Sequence, residues 1–222
     1  SWSLIDQAER DIFKRLSVFV GGFTRDAAQQ VASASLPLLA GLVNKSFLSH
    51  DPDTGRLEIH ELLRQYAQEK LVEISKTDST LQDAHAAYFV EFVQQREKLL
   101  KGEQQMLALT EIEADIENIR AAWRHYLSKK NASQIWNFSL GLWHLHWIRW
   151  WNLAGMELFE TAATALQGEE NSEAVAARAL AQALQGYFMA WLGLPEQGYA
   201  LAKEAEKVFL QINQPEALVM TY

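Results

Sequence analysis

Four groups of residues have the types and spacing to do chemistry. His60 stands between an alternating stretch, Arg56-Leu57-Glu58-Ile59, and an amphipathic run that continues to about Ile74. An imidazole on such a seam can donate to an anion, and the start of the following helix offers backbone N–H groups to the same ligand. Its plainer role is to cap that helix. Glu111, Glu113, Asp115 and Glu117 form a second group, but alternate positions spread around a helix. They read as a solvated face rather than an acid/base pair or a metal site. His144 and His146 are two residues apart, which on a helix turns them roughly 100–200° away from each other and makes a poor metal pair. Finally, Trp136, Leu140, Trp143, Trp147 and Trp150 recur at helical spacing with Trp151 adjacent. That stripe reads first as core between stacked helices. The sharper alternative is a platform for a sugar or another effector, in which Trp143, Trp147, Trp150 and Trp151 are the candidate surface.

No catalytic constellation accompanies these groups. The sequence has no recognisable Ser-His-Asp or Cys-His motif, no HExxH, no G-x-x-x-x-G-K-[ST] and no G-x-G-x-x-G. The expectation is therefore no enzyme and no metal in this chain. Its 222 residues include no cysteine, so disulfides and thiolate metal sites are excluded. No apolar run reaches the ~18 residues of a membrane span, and the start, Ser1-Trp2-Ser3-Leu4, is no signal peptide. A cytoplasmic location without membrane contact follows as the expectation. The start also lacks an initiator Met, as a piece of a longer protein would. The net charge is -8, and both segments share the sign: 9 basic against 11 acidic residues over 1–78, and 11 against 17 over 79–222. Neither carries the basic excess that phosphate-backbone binding needs.

Local patterns place these groups on elements. A first helix is predicted from Ser3 to Leu16, with Ser3 and Asp6 as a capping box and Leu4, Ile5, Ala8, Ile12, Phe13 and Leu16 on one face. Gly21-Gly22 permits a sharp turn after Ser17–Val20. Thr24 caps a second helix to about Ala32, and Ser35 caps a third, Leu36 to Val43, with Pro37 in its first turn. Phe47–His50 and Arg56–Ile59 read as short strands around the polar turn Asp51-Pro52-Asp53-Thr54-Gly55. The fourth helix starts near His60, with Leu62, Leu63, Tyr66, Leu71 and Ile74 inward. Three helices, a hairpin and a closing helix are the order of a winged-helix domain. Yet the third helix, LPLLAGLV, has no Arg, Lys, Asn or Gln to reach base edges, and only Asn44-Lys45 follow it. DNA binding through this segment is not expected.

Several runs carry a family resemblance. They are Glu9 to Thr24 (ERDIFKRLSVFVGGFT), Leu42 to Leu48 (LVNKSFL) and Ile59 to Ala67 (IHELLRQYA). Together they resemble the winged-helix module of STAND-class signalling ATPases, the large bacterial regulators of the LuxR and AfsR type. The resemblance covers about residues 1–125. It implies a winged helix that packs on the nucleotide-binding domain of the same polypeptide, whose cofactor is ATP or ADP. No cofactor is implied within this chain, because the P-loop is absent from it. Ile59-His60-Glu61 falls where related ATPases have Met-His-Asp, whose histidine reaches the β-phosphate of ADP. His60 inherits that possible contact, although Ile replaces Met and Glu replaces Asp.

After the break at Ser75–Ser79 only helices are predicted. Thr80 with Asp83 caps one to Leu100, with Leu81, Ala84, Tyr88, Phe92 and Val93 near one stripe. A single helix then runs from about Glu103 to Leu127, with Leu107, Ile112, Ile116, Ile119, Ala122, Trp123 and Tyr126 apolar. Gly155, Leu158, Ala162, Ala165 and Leu166 match Gly198, Leu201, Ala205, Val208 and Phe209 at a constant offset of 43. This weak repeat, with Gly186, Gly193, Gly198, Ala202 and Ala205, resembles tetratricopeptide repeats. Pro215 starts a further helix, Glu216 to Tyr222. The expected architecture is mainly α: a winged-helix domain over 1–78, a linking helical hairpin over 79–132 and a tetratricopeptide-like superhelix over 133–222. The expected function is a non-catalytic regulatory and signal-sensing segment, its repeats binding a protein or small-molecule effector. The alternative is a winged-helix transcription factor that touches DNA directly.

Overall fold

A computed structural model describes residues 2–74 and 79–213. The break at Ser75–Asp78 and the helix expected from Glu216 to Tyr222 lie outside the described residues. Within them the chain is mainly helical, with eleven α-helices and one two-stranded hairpin. It divides into two compact units, Ser1–Glu91 with Glu111–Ala122, and Phe92–Thr110 with Trp123–Tyr222.

The first unit opens with a 3-10 turn, Trp2–Leu4, followed by α1, Gln7–Leu16. The helix starts later than the pattern from Ser3 suggests because Asp6 and Glu9 form the capping box. Asp6 Oδ1 accepts from the Glu9 N–H at 2.9 Å, and Glu9 Oε2 accepts from the Asp6 N–H at 2.9 Å. Leu4 and Ala8 are consequently exposed instead of lying on the core face. Thr24 caps α2, Arg25–Ala32, through the Ala27 N–H at 3.1 Å. Ser35 precedes α3, Leu36–Asn44, but makes no side-chain cap. The hairpin is shorter than expected: β1, Ser49–His50, pairs antiparallel with β2, Leu57–Glu58. Asp51 organises its turn, accepting from the Asp53 N–H at 2.9 Å and the Thr54 hydroxyl at 2.6 Å. Phe23 adds a bridge on the other side of Leu57, exchanging two backbone hydrogen bonds at 2.8 and 2.9 Å.

Then comes α4, Glu61–Ile74. Two residues expected to face inward do not: Leu62 is 70% exposed and Tyr66 38%, whereas Ala67 is fully buried. Tyr66 is instead covered on one edge by Trp2, with ring centroids 5.3 Å apart. The long α5, Thr80–Leu100, begins in this unit. Its buried face carries His85, Ala86, Phe89 and Val90, while Ala84 is exposed. Phe19 stacks on Phe23 at 4.5 Å and meets His85 and Phe89 edge-on. Together with Phe13, Leu16 and Leu42 these rings form the core of the unit.

The single helix expected over Glu103–Leu127 is two, α6, Gln105–Ala114, and α7, Ile116–Ser128. They break at Asp115, which has no helix-breaking neighbour in sequence. The second unit continues with α8, Ala132–Ile148, α9, Asn152–Ala165, α10, Ser172–Trp191, and α11, Pro195–Gln211. Asn131 caps α8 and Asn171 caps α10. Phe159 and Phe188 stack nearly parallel, Trp123 meets Phe138 and Phe159 edge-on, and Trp136 meets Phe209. α10 and α11 approach until backbones touch: a Cβ on Gly198 would lie 2.3 Å from the Gly186 carbonyl oxygen, and one on Gly186 would lie 2.5 Å from that of Gly198. The offset of 43 has a physical counterpart. Gly155, Ala162 and Leu166 are buried, as are Gly198, Ala205 and Phe209, and the intervening members of both series are half-buried.

Candidate functional site

His60 immediately precedes α4 and is exposed. Its Nδ1 accepts from the Leu62 N–H at 3.4 Å, and its carbonyl accepts from the Leu63 and Arg64 N–H groups at 2.8 and 3.0 Å. The residue thus occupies the N-cap position, and Nε2 has no partner among the described residues. Glu61 is committed elsewhere. Arg64 holds it in a two-point pair at 2.8 Å and 2.8 Å, and Gln65 donates to it at 2.9 Å. Those bonds lower the Glu61 carboxyl to about 2. Arg64 in turn reaches the Ser17 carbonyl at 3.2 Å, so the seam is tied to the end of α1.

A second feature of the first unit was not legible in the sequence. Asp115, expected on a solvated face, is only 4% exposed. Arg56 grips it with two N–H···O bonds at 2.7 and 3.0 Å, and also donates to the carbonyls of Gly22 (2.7 Å) and Ala114 (3.0 Å). Buried Asn118 completes the knot. It donates to Asp115 and Gly22 at 3.0 Å each and accepts from the Val20 N–H at 2.7 Å. The break between α6 and α7 therefore serves a buried charge pair whose partner lies 59 residues away in the chain. Glu111 and Glu113 are half-buried and Glu117 pairs with Arg120, so the four carboxylates do not act together.

The outward surface of α3 is apolar. Leu36 is 51% exposed, and a cleft of about 270 Å³ opens between α3 and the hairpin, lined by Leu36, Leu39, Ala40, Val43 and Leu57, with Arg25, Asn44 and His50 as its polar members. Lys45, the cation that follows the helix, is spent on Glu9, with Nζ 2.6 and 2.7 Å from its two oxygens. The exposed donors beside this face, Arg25, Asn44 and His50, come from three separate elements, and α3 itself contributes only its last residue, Asn44, to an otherwise apolar surface.

In the second unit the tryptophan stripe is a half-covered flank and not the core. The core side of α8 carries Ile135, Phe138, Leu142 and Leu145, whereas Trp136, Leu140 and Trp143 are half-buried and Trp147 is 41% exposed. Trp143 and Trp147 stack at 5.7 Å with planes 4° apart, and Tyr187 meets Trp143 edge-on. Trp150, 65% exposed, sits in the turn between α8 and α9 at a left-handed φ of 57°. It meets Trp191, at the end of α10, at 5.3 Å. Trp151 turns back onto His146. The two histidines bond separately to their own helix, His144 Nδ1 to the Leu140 carbonyl at 2.8 Å and His146 Nδ1 to that of Leu142 at 2.7 Å. Burial holds the His144 imidazole below its ordinary range. Among the described residues no three His, Asp or Glu side chains gather as a metal site, and no helix is long and apolar enough to cross a membrane.

Known proteins share this sequence at a distance. A Mycobacterium tuberculosis protein provisionally named an HTH-type transcriptional regulator is 26% identical over 232 residues, a match that takes in 99% of this chain and 26% of the relative. A Mycobacterium bovis protein provisionally given the same function matches to the same extent. A shorter similarity, 37% identity over 91 residues, joins 36% of this chain to 23% of an uncharacterized Mycobacterium tuberculosis protein. No family model and no solved structure matches the chain. The chain spans about a quarter of the length of the curated relatives it matches.

Proposed function

We propose that this chain is the regulatory, signal-coupling segment of a larger transcriptional regulator of the STAND type, and that it performs no catalysis itself. In this reading the first unit is a winged helix that packs through α3 on the nucleotide-binding domain of the same polypeptide. The paired helices α8–α11 begin a tetratricopeptide-like superhelix that receives a protein or small-molecule effector, with Trp143, Trp147, Trp150 and Trp151 at its surface. The observation that carries it is the apolar α3 face, whose exposed Leu36 and adjoining cleft suit burial against protein. The regulators from Mycobacterium, matched over nearly the whole of this chain, support the regulatory role.

His60 would contribute Nε2 to an ADP phosphate while Nδ1 stays on the Leu62 N–H. The test is ADP retention by the longer polypeptide carrying His60→Ala. Faster ADP release is expected, and an unchanged release rate would sink the role. The second reading, direct DNA contact by the first unit, is favoured by the name of the relatives alone. It requires salt-dependent binding of duplex DNA. A flat titration at low salt disposes of it, and that is the outcome expected from the neutralised Lys45 and the apolar α3.

A further inference from the structure

Leu36, Leu39, Ala40 and Val43 follow the spacing of a single helix face along α3. With Leu57 of β2 they line the cleft of about 270 Å³, whose polar members are Arg25, Asn44 and His50. Leu39 and Leu57 are buried, Val43 is half-buried, and Leu36 and Ala40 are exposed. Among the described residues, neither the Arg25 guanidinium nor the Asn44 carboxamide has a hydrogen-bond or ion-pair partner. Arg25 differs in this from Lys45, whose charge is spent on Glu9. Among the described residues no carboxylate lines the cleft, although Asp26 and Asp51 adjoin Arg25 and His50 in the chain. Asp51 serves its own turn, accepting from the Asp53 N–H and the Thr54 hydroxyl.

We infer that this cleft binds a medium-chain alkyl carboxylate, with its tail along the aliphatic wall of α3 and Leu57 and its head on Arg25. An alkyl tail is held by burial and dispersion, which have no preferred direction and which aliphatic side chains supply. His50 is the one ring among the described lining residues, so little there selects a flat ligand by stacking. The head is an anion because the unspent charge lining the cleft is a guanidinium, whose paired N–H groups match the two oxygens of a carboxylate. The Asn44 carboxamide adds a further N–H donor. A single guanidinium suits a single carboxylate, whereas a nucleic-acid backbone calls for a row of cations. Size follows from volume. An apolar cavity of about 150 Å³ admits benzene, so a cleft of about 270 Å³ accommodates about ten non-hydrogen atoms, the size of octanoate. The ligand would share α3 with the nucleotide-binding domain, so the two would exclude each other. This inference goes beyond the domain contact proposed above, and its test on the chain alone does not depend on that contact.

The probes are octanoate, hexanoate and octan-1-ol. Each is titrated into the 222-residue chain carrying ¹³C-labelled methyl groups while the signals of Leu36, Leu39, Val43 and Leu57 are followed. Octanoate is expected to shift all four together and to saturate with a Kd of about 1 mM or tighter. Hexanoate, two methylenes shorter, should bind about tenfold more weakly. Octan-1-ol, which lacks the charge, should bind about fivefold more weakly. Arg25→Gln, at an exposed position, should erase the preference for octanoate over octan-1-ol and leave the affinity for the alcohol unchanged. Ala40→Trp, also at an exposed position, should fill the cleft and abolish binding of both. Silent methyl signals at all four residues, shifts confined to methyl groups elsewhere, or undiminished octanoate binding by Ala40→Trp overturns the inference. So does equal binding of octanoate and octan-1-ol by the unaltered chain, or a preference for octanoate that survives Arg25→Gln. Those last two outcomes would leave the apolar face of α3 to the domain contact alone.

Discussion

The two units hold their helices by opposite means. In the first, polar side chains do the fastening: Arg56, Asp115 and Asn118 tie the hairpin, the Gly22 turn and the α6–α7 break together, and Glu9 with Lys45 ties α1 to α3. In the second, the described helices are joined by shape. Gly186 and Gly198 let backbones touch, Gly155 admits the Phe188 ring, and phenylalanines fill the interior. A polar knot is specific because each partner left alone is a buried, unpaired group. A glycine contact is specific because nothing larger fits. One design fails by desolvation and the other by overlap.

The largest effect should come from Asp115→Ala, which leaves the Arg56 guanidinium half-sealed without its carboxylate. A loss of about 3 kcal/mol is expected in urea unfolding. The pair Arg56→Met/Asp115→Leu should recover most of it, because removing both charges also removes the desolvation cost. Amide exchange at Val20 should accelerate only in the single variant. Next comes Gly198→Ala, whose new methyl meets the Gly186 carbonyl and should cost about 2 kcal/mol. Since seven of the eight tryptophans lie in the second unit, their fluorescence should report this change and be nearly blind to Asp115→Ala. If Asp115→Ala moved the tryptophan transition as much as Gly198→Ala, the two units would not be separately fastened.

The smallest effect is a pH dependence at His144. Its folded imidazole is held below the ordinary value of 6.5, mainly by burial, with nearby Lys101 acting in the same direction and the Leu140 carbonyl and Glu97 opposing. As pH falls through 6.5 the unfolded chain takes up a proton that the folded chain refuses, so this contribution is whole above 6.5 and declines below it. His144→Gln should flatten that part of the stability profile between about pH 6.5 and 5. An unchanged slope would show that the imidazole is not desolvated.

Local signals made much of the first unit legible. Thr24, the Asp51 turn and the order of helices and hairpin can be read because their causes sit within a few residues of one another. What escaped depends on distant partners. No Gly or Pro marks the break at Asp115, because its cause is Arg56. His85 was absent from the expected α5 stripe because an imidazole reads as surface until Phe19 and Phe89 cover it. Leu62 and Tyr66 satisfy an inward periodicity, yet the face available to α4 is centred on Ala67. The tryptophans drew attention by size and spacing, but phenylalanine, lacking an N–H to satisfy, took the fully buried positions. Of the candidate sites, His60 could be located from sequence.

The knot around Asn118 also sets an order of events during synthesis. Val20 and Gly22 leave the ribosome nearly a hundred residues before the side chain that satisfies them, and Arg56 waits almost sixty for Asp115. Until α7 emerges, the hairpin and the Gly22 turn carry open hydrogen-bonding groups, and the nascent first unit must stay unfinished or rely on water. A shortened protein ending near residue 78 would be arrested at that stage, with its hairpin formed from local signals and its fastening still untranslated.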